Sequence, residues 1–152
     1  MTTVNTPSLT QAAIGGLLLR NGCRLRPANA ATTAFYRGNL ERLLAGLDAA
    51  FPAADRLGVR WNSPGGGFFL VVAVPFAADA AALEVSAREH GVLWTPMQSF
   101  YLDGGGTRAL RLSCSYVEPA QIDEGVRRLA GFVRAHTPPI LVESPPRRVP
   151  PG

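Results

Sequence analysis

Ala109-Leu110-Arg111-Leu112-Ser113-Cys114-Ser115 decides how this chain is to be read. With period two, Leu110, Leu112 and Cys114 face one way, while Ala109, Arg111 and Ser113 face the other. That is a strand with one packed face and a lone guanidinium on its second face. A charge without a partner is costly to desolvate, so Arg111 needs a reason to be there. A salt bridge or a solvated sheet edge would be sufficient. The sharper alternative is a rigid strand that presents a planar fork of donors, the geometry that grips a carboxylate with two parallel hydrogen bonds.

Working outward, Glu118-Pro119 opens a helix, since proline is tolerated in a first turn. Ile122, Val126, Leu129, Ala130 and Val133 form its apolar stripe. Asp123 and Glu124 come early and Arg127, Arg128 and Arg134 late, as the helix dipole favours. Beyond it, residues 135–152 are too rich in proline for a packed element and are expected to form a disordered tail. On the other side of the Arg111 strand, Asp103-Gly104-Gly105-Gly106 is a turn and Pro96-Met97-Gln98-Ser99-Phe100-Tyr101 a loop. Val92 to Thr95 reads as a strand. A helix capped by Asp79 runs to His90 and stops at Gly91, which suits a left-handed C-cap. His90, in its last turn, reads as structural.

Upstream, Val59 to Asn62 is a short strand and Ser63-Pro64-Gly65-Gly66 a turn. Gly67 to Val74 is a continuous apolar run, long enough for a buried strand. The glycines carry neither a dinucleotide fingerprint nor a Lys-Ser/Thr ending, so a tight turn explains them better than a phosphate loop. Strand, strand, helix, strand, strand, helix is an α+β layer with helices on one sheet face. Arg111 emerges on the free face.

The first third is helical. Ser8 followed by Gln11 has a capping-box pattern, which predicts a helix over Leu9 to Arg20. Gly15-Gly16 with Leu17, Leu18 and Leu19 suggests that this helix is buried against another. Asn29 to Phe51 carries Tyr36, Leu40, Leu43, Leu44, Leu47 and Phe51 on one stripe and is stopped by Pro52.

Nearly half of the 152 residues are hydrophobic, so a real core can form. No run is long enough to span a bilayer and the N-terminus lacks the order of a signal peptide, so a cytoplasmic location is expected. Cys23 and Cys114 lie far apart, without metal-ligand spacing, and read as reduced structural thiols; no metal site is expected. The net charge is +4, yet the arginines are scattered, which argues against nucleic acid. All 15 basic residues are arginine, so no chemistry on a lysine amine is available to this chain.

Four segments in order carry a resemblance. They are Trp61-Asn62-Ser63-Pro64-Gly65-Gly66-Gly67-Phe68-Phe69-Leu70, Gly91-Val92-Leu93-Trp94-Thr95-Pro96 with Ser99-Phe100, Leu110-Arg111-Leu112-Ser113, and Glu124-Gly125-Val126-Arg127-Arg128-Leu129. Together they resemble the carboxy-terminal part of class I/II aminotransferases, pyridoxal-phosphate enzymes of fold type I. The resemblance covers about residues 5–134. It implies that residues 1–52 are the end of the large domain with its connecting helix, and that residues 57–134 are the small domain. It implies that Arg111 binds the substrate α-carboxylate, with Trp94, Pro96 and Phe100 lining the substrate pocket and Met97 standing where glycine is common. Asn5 resembles a position near the dimer interface and the partner's cofactor.

The same resemblance implies an amino acid and a 2-oxo acid as substrates, and a homodimer or a complementing N-terminal polypeptide. It also implies pyridoxal 5'-phosphate in the complete enzyme. The Schiff-base lysine, the acid against the pyridinium nitrogen and the phosphate cup precede this segment in the family. The chain alone is therefore expected to supply no catalytic residue, to hold no cofactor and to be inactive by itself. Thr95-Pro96-Met97, Leu112-Ser113-Cys114-Ser115-Tyr116 and the aromatics Trp94, Phe100 and Tyr101 look like the arylglycine (dihydroxyphenylglycine-type) branch, which serves secondary metabolism. The competing expectation is a non-catalytic module of the same fold that binds a carboxylate ligand or a protein partner.

Overall fold

The structure is a computed structural model and describes residues 7–137. Three helices come first: α1 (Ser8–Arg20), the single turn α2 (Leu25–Ala28) and α3 (Ala30–Ala50). The strands are β1 (Arg60–Trp61), β2 (Phe69–Ala73), β3 (Thr95–Pro96) and β4 (Ala109–Ser113). Helix α4 (Ala80–Val85) runs on as a π-helical turn over Ser86–His90, and α5 (Pro119–His136) comes last. The strands form one antiparallel sheet in the order β1-β2-β4-β3. Val71 stands opposite Arg111 on one side and Thr95 opposite it on the other. This is the expected α+β layer.

Burial follows the pleat. Leu70 and Val72 of β2 and Leu110 and Leu112 of β4 are buried, while their neighbours Phe69, Val71 and Arg111 are not. The second half of α3 and all of α5 cover the buried face. Leu40, Leu43 and Leu47 from α3, with Phe51 at its C-cap, join Ile122, Val126, Leu129 and Val133 from α5 in one core. The two helices come close at Gly46, where a Cβ would lie 3.3 Å from Val126. Phe132, which the stripe had not included, is fully buried, with Phe76, His90, Trp94 and His136 arranged around its ring. His90 thus has the structural place expected of it.

Several expectations are corrected. The Ser8–Gln11 capping box does not form, because Ser8 already lies inside the first turn and the Gln11 N–H bonds the Pro7 carbonyl at 3.1 Å. Helix α1 buries no residue, and a Cβ at Gly15 or Gly16 would meet nothing; within the described chain no helix comes up against it. The stretch from Asn29 is preceded by the extra turn α2. Of the expected Val92 to Thr95 strand only Thr95 pairs, and the pairing runs on to Pro96. The Gly67 to Val74 run is covered on one face only. Cys23 is exposed rather than structural, whereas Cys114 is buried and its Sγ donates to the Phe68 carbonyl at 3.4 Å. Burial pushes the Cys114 thiol up. Helix α5 continues through His136, past the start assigned to the tail. Residues 138–152 and Asn5 lie outside the described residues.

Gly91 terminates the α4 segment at φ 65°, the left-handed conformation expected of it. A Cβ there would also lie 2.6 Å from Arg128 Nη1. Gly91→Ala is expected to cost about 1 kcal/mol in urea unfolding, from the backbone alone. An unchanged midpoint would refute this.

Helix α5 carries an exposed clamp. Arg127 and Arg128 donate to Glu124 at 2.6–2.7 Å and hold its carboxyl down to about 2 from an ordinary 4.5. A lowered carboxyl stabilises the fold above its unfolded value and loses that contribution as pH falls toward the folded one. The unfolding midpoint should therefore drop as pH is lowered from about 4.5 toward about 2. Glu124→Gln should flatten that part of the profile.

Candidate functional site: a guanidinium on the open sheet face

The face of the sheet away from the helices carries Phe69, Val71 and Ala73 from β2 and Ala109, Arg111 and Ser113 from β4, as the register dictates. No acidic residue is among them. Arg111 is half-buried in this apolar setting. Its guanidinium carbon lies 4.2 Å from the centroid of the Phe69 ring and 4.8 Å from that of Phe100. The two rings attract the cation and shield it from water. They leave the in-plane N–H edges as its polar surface, and those edges suit a planar two-oxygen anion rather than a stacking ligand.

Five other arginines are paired with carboxylates. Arg42 bonds Asp123 bidentately at 2.6 and 2.8 Å, Arg56 pairs with Asp48, Arg88 with Glu84, and Arg127 and Arg128 share Glu124. The Arg42 contact keeps the Asp123 carboxyl below its ordinary value. Among the described residues no carboxylate pairs with Arg111. The salt bridge that could have explained this residue is not formed among the described residues, and α5 packs on the opposite face.

Of the residues expected at the site, the fold brings Phe100 to Arg111. Trp94 is not brought there. It is 6% exposed and packs against Phe132 in the core, because Thr95 is the residue registered with Arg111 and its neighbour must point the other way. Pro96 is registered with Leu110 and shares the helix-side face. Phe69 and Thr95 were missed. Alternation within the Gly67 to Val74 run puts Phe69 on one face with Val71 and Ala73, but only the register places Val71 opposite Arg111 and so Phe69 within reach. Among the described residues there is no cluster of metal ligands, and no helix is long and apolar enough to cross a membrane.

Residues 1–129 match the family of class I and II aminotransferases. The chain belongs to that family. It is 46% identical over 135 residues to the (S)-3,5-dihydroxyphenylglycine transaminase of Amycolatopsis orientalis, covering 89% of this chain and 30% of the relative. It is 33% identical over 126 residues to the 2-aminoadipate transaminase of Thermus thermophilus, covering 83% and 30%. The crystal structure of LysN, the α-aminoadipate aminotransferase of Thermus thermophilus, superposes with a TM-score of 0.72 at 30% identity, over 87% of this chain and 32% of that one. That enzyme was crystallised with N-(5'-phosphopyridoxyl)-L-leucine. This aminotransferase chain spans about 30% of the length of these relatives.

The chain contains no lysine, so no side chain here offers the amine to which pyridoxal phosphate is covalently bound. No covalent step is assigned to this chain.

Proposed function

We propose that this chain is the substrate-carboxylate-recognising part of a pyridoxal-phosphate-dependent amino acid aminotransferase, with Arg111 as the residue that holds the α-carboxylate. The observation that carries the reading is the Arg111 guanidinium, which has no carboxylate partner among the described residues and lies against Phe69 and Phe100 on the open face of the sheet. Two in-plane N–H bonds to a carboxylate would fix one end of an amino acid and orient its Cα–H toward the reacting group. In this reading residues 57–134 are the small domain, and residues 1–52 lead into it from the large one. A homodimer or a complementing polypeptide supplies the lysine. The location is cytoplasmic. The similarity to the dihydroxyphenylglycine transaminase favours an arylglycine and its 2-oxo acid as substrates, in secondary metabolism.

The test exchanges this chain for the matching third of the Amycolatopsis orientalis transaminase. The exchange should yield an enzyme whose amino-acid binding, followed by the cofactor's absorbance, depends on Arg111. An assembled enzyme that binds amino acid equally well without the guanidinium would overturn the assignment.

A further inference from the structure

The loop between β3 and β4 is built around one ring. Met97 N–H donates to the Ala109 carbonyl at 3.0 Å and Ala109 N–H to the Gly106 carbonyl at 3.1 Å, which closes the loop on the base of β4. Inside it, Phe100 N–H bonds the Met97 carbonyl at 2.9 Å and Tyr101 N–H the Gln98 carbonyl at 3.2 Å, a tight 3₁₀ turn. The Tyr101 ring packs against Gly105 and Gly106. A Cβ at Gly105 would fall 2.8 Å from Tyr101 Cδ1, and one at Gly106 2.6 Å from Cδ2. Only hydrogen fits beneath the ring at these two positions. The next residue back, Phe100, reaches over Arg111 although it is itself 54% exposed.

A half-exposed phenylalanine on a short turn has little packing to hold it in one place. The seat of Tyr101 on two glycines fixes the turn from one residue away. Phe69, on β2, needs no such device because the sheet holds it. We infer that Phe69 and Phe100 are positioning residues that hold the Arg111 guanidinium in one plane, and that Tyr101, seated on Gly105-Gly106, is the latch that sets Phe100. The inference rests on the reading of Arg111 as a carboxylate binder, and it explains how that side chain keeps its aim with no carboxylate partner among the described residues.

The test uses the full 152-residue chain with ¹⁵N-labelled arginine and propionate as the probe. Nuclei over an aromatic face are shielded, so the Arg111 Nε–H resonance should lie upfield of that of exposed Arg88. Phe69→Leu, Phe100→Leu, Tyr101→Leu and Gly105→Ala should each move it back toward Arg88. Each should also weaken propionate binding about 3- to 10-fold. Tyr101→Phe should behave as the unsubstituted chain, because the ring and not the hydroxyl makes the seat. Gly105→Ala disturbs the latch by crowding the Tyr101 ring while leaving every aromatic residue in place, at a residue with no left-handed backbone requirement.

An Arg111 resonance and a propionate affinity unmoved by Tyr101→Leu and Gly105→Ala would overturn the latch. Loss of both signals only together with a lowered unfolding midpoint, in every variant, would also overturn it, since a structural role alone would do that. Propionate that fails to perturb Arg111 in the unsubstituted chain would sink the carboxylate reading instead. The shielding measurement, made without ligand, would still decide whether the rings and the latch hold the side chain.

Discussion

Arg111→Ala, in an enzyme assembled around this chain, is expected to raise the dissociation constant for the amino acid about 100-fold while leaving cofactor absorbance in the absence of substrate unchanged. The size follows from the bonds lost. Two charge-assisted hydrogen bonds from a fork to a carboxylate, in a setting shielded by two rings, are worth about 3 kcal/mol, and each 1.4 kcal/mol is tenfold. Arg111→Lys separates charge from geometry. An ammonium keeps the attraction but loses the planar fork and stacks less well between Phe69 and Phe100, so about a tenfold loss should remain. Equal effects of alanine and lysine would mean that the fork does not matter. Equal loss of cofactor and substrate binding would mean that Arg111 supports the fold rather than the substrate. Titration of the assembled enzyme, with absorbance as the readout, distinguishes these outcomes.

Asn39→Asp is expected to be the most damaging single substitution for stability among those considered. Asn39 is 2% exposed on α3, and its Nδ2 donates to the carbonyls of Cys114 and Val117, each at 2.9 Å. Those carbonyls lie in the connection between β4 and α5, so one amide ties the long helix to the end of the Arg111 strand. Aspartate has nearly the same shape and no donor. It would leave two carbonyls unmatched and place a carboxylate against them, at a cost of about 3–5 kcal/mol. Asn39→Leu, which removes the donor without adding a charge, should cost less, about 2–3 kcal/mol. Domains of this size are stable by only about 5–15 kcal/mol, so the aspartate variant should be largely unfolded at moderate urea. A loss below about 1 kcal/mol for Asn39→Asp would show that the tie contributes little.

The Arg111 strand and the aminotransferase resemblance were legible because both rest on local pattern. Alternation in Leu110, Arg111 and Leu112 fixes which residues share a face, whatever the partner strand is. The stripe of α5 and the Gly91 stop are equally local, one a matter of helical period and the other of a backbone conformation that favours glycine. Trp94 shows where that kind of reading fails. The resemblance implies a place at the pocket for it, but its parity relative to Thr95 puts it under the sheet, and parity across strands depends on register. Helix α1 failed for a related reason. Its leucines argue that it wants cover, but propensity and pattern do not say which chain provides that cover.

The sequence by itself determined a one-sided α+β layer, an arginine on its uncovered face and a polypeptide without a lysine, since these follow from periodicity and composition within each segment. Tertiary structure alone decided that Phe69 and Phe100 meet at Arg111, that Tyr101 rests on Gly105-Gly106, and that Asn39 reaches Cys114 and Val117. Each of these joins residues from separate segments, and such contacts are set by strand register and helix packing, which no single stretch of chain contains.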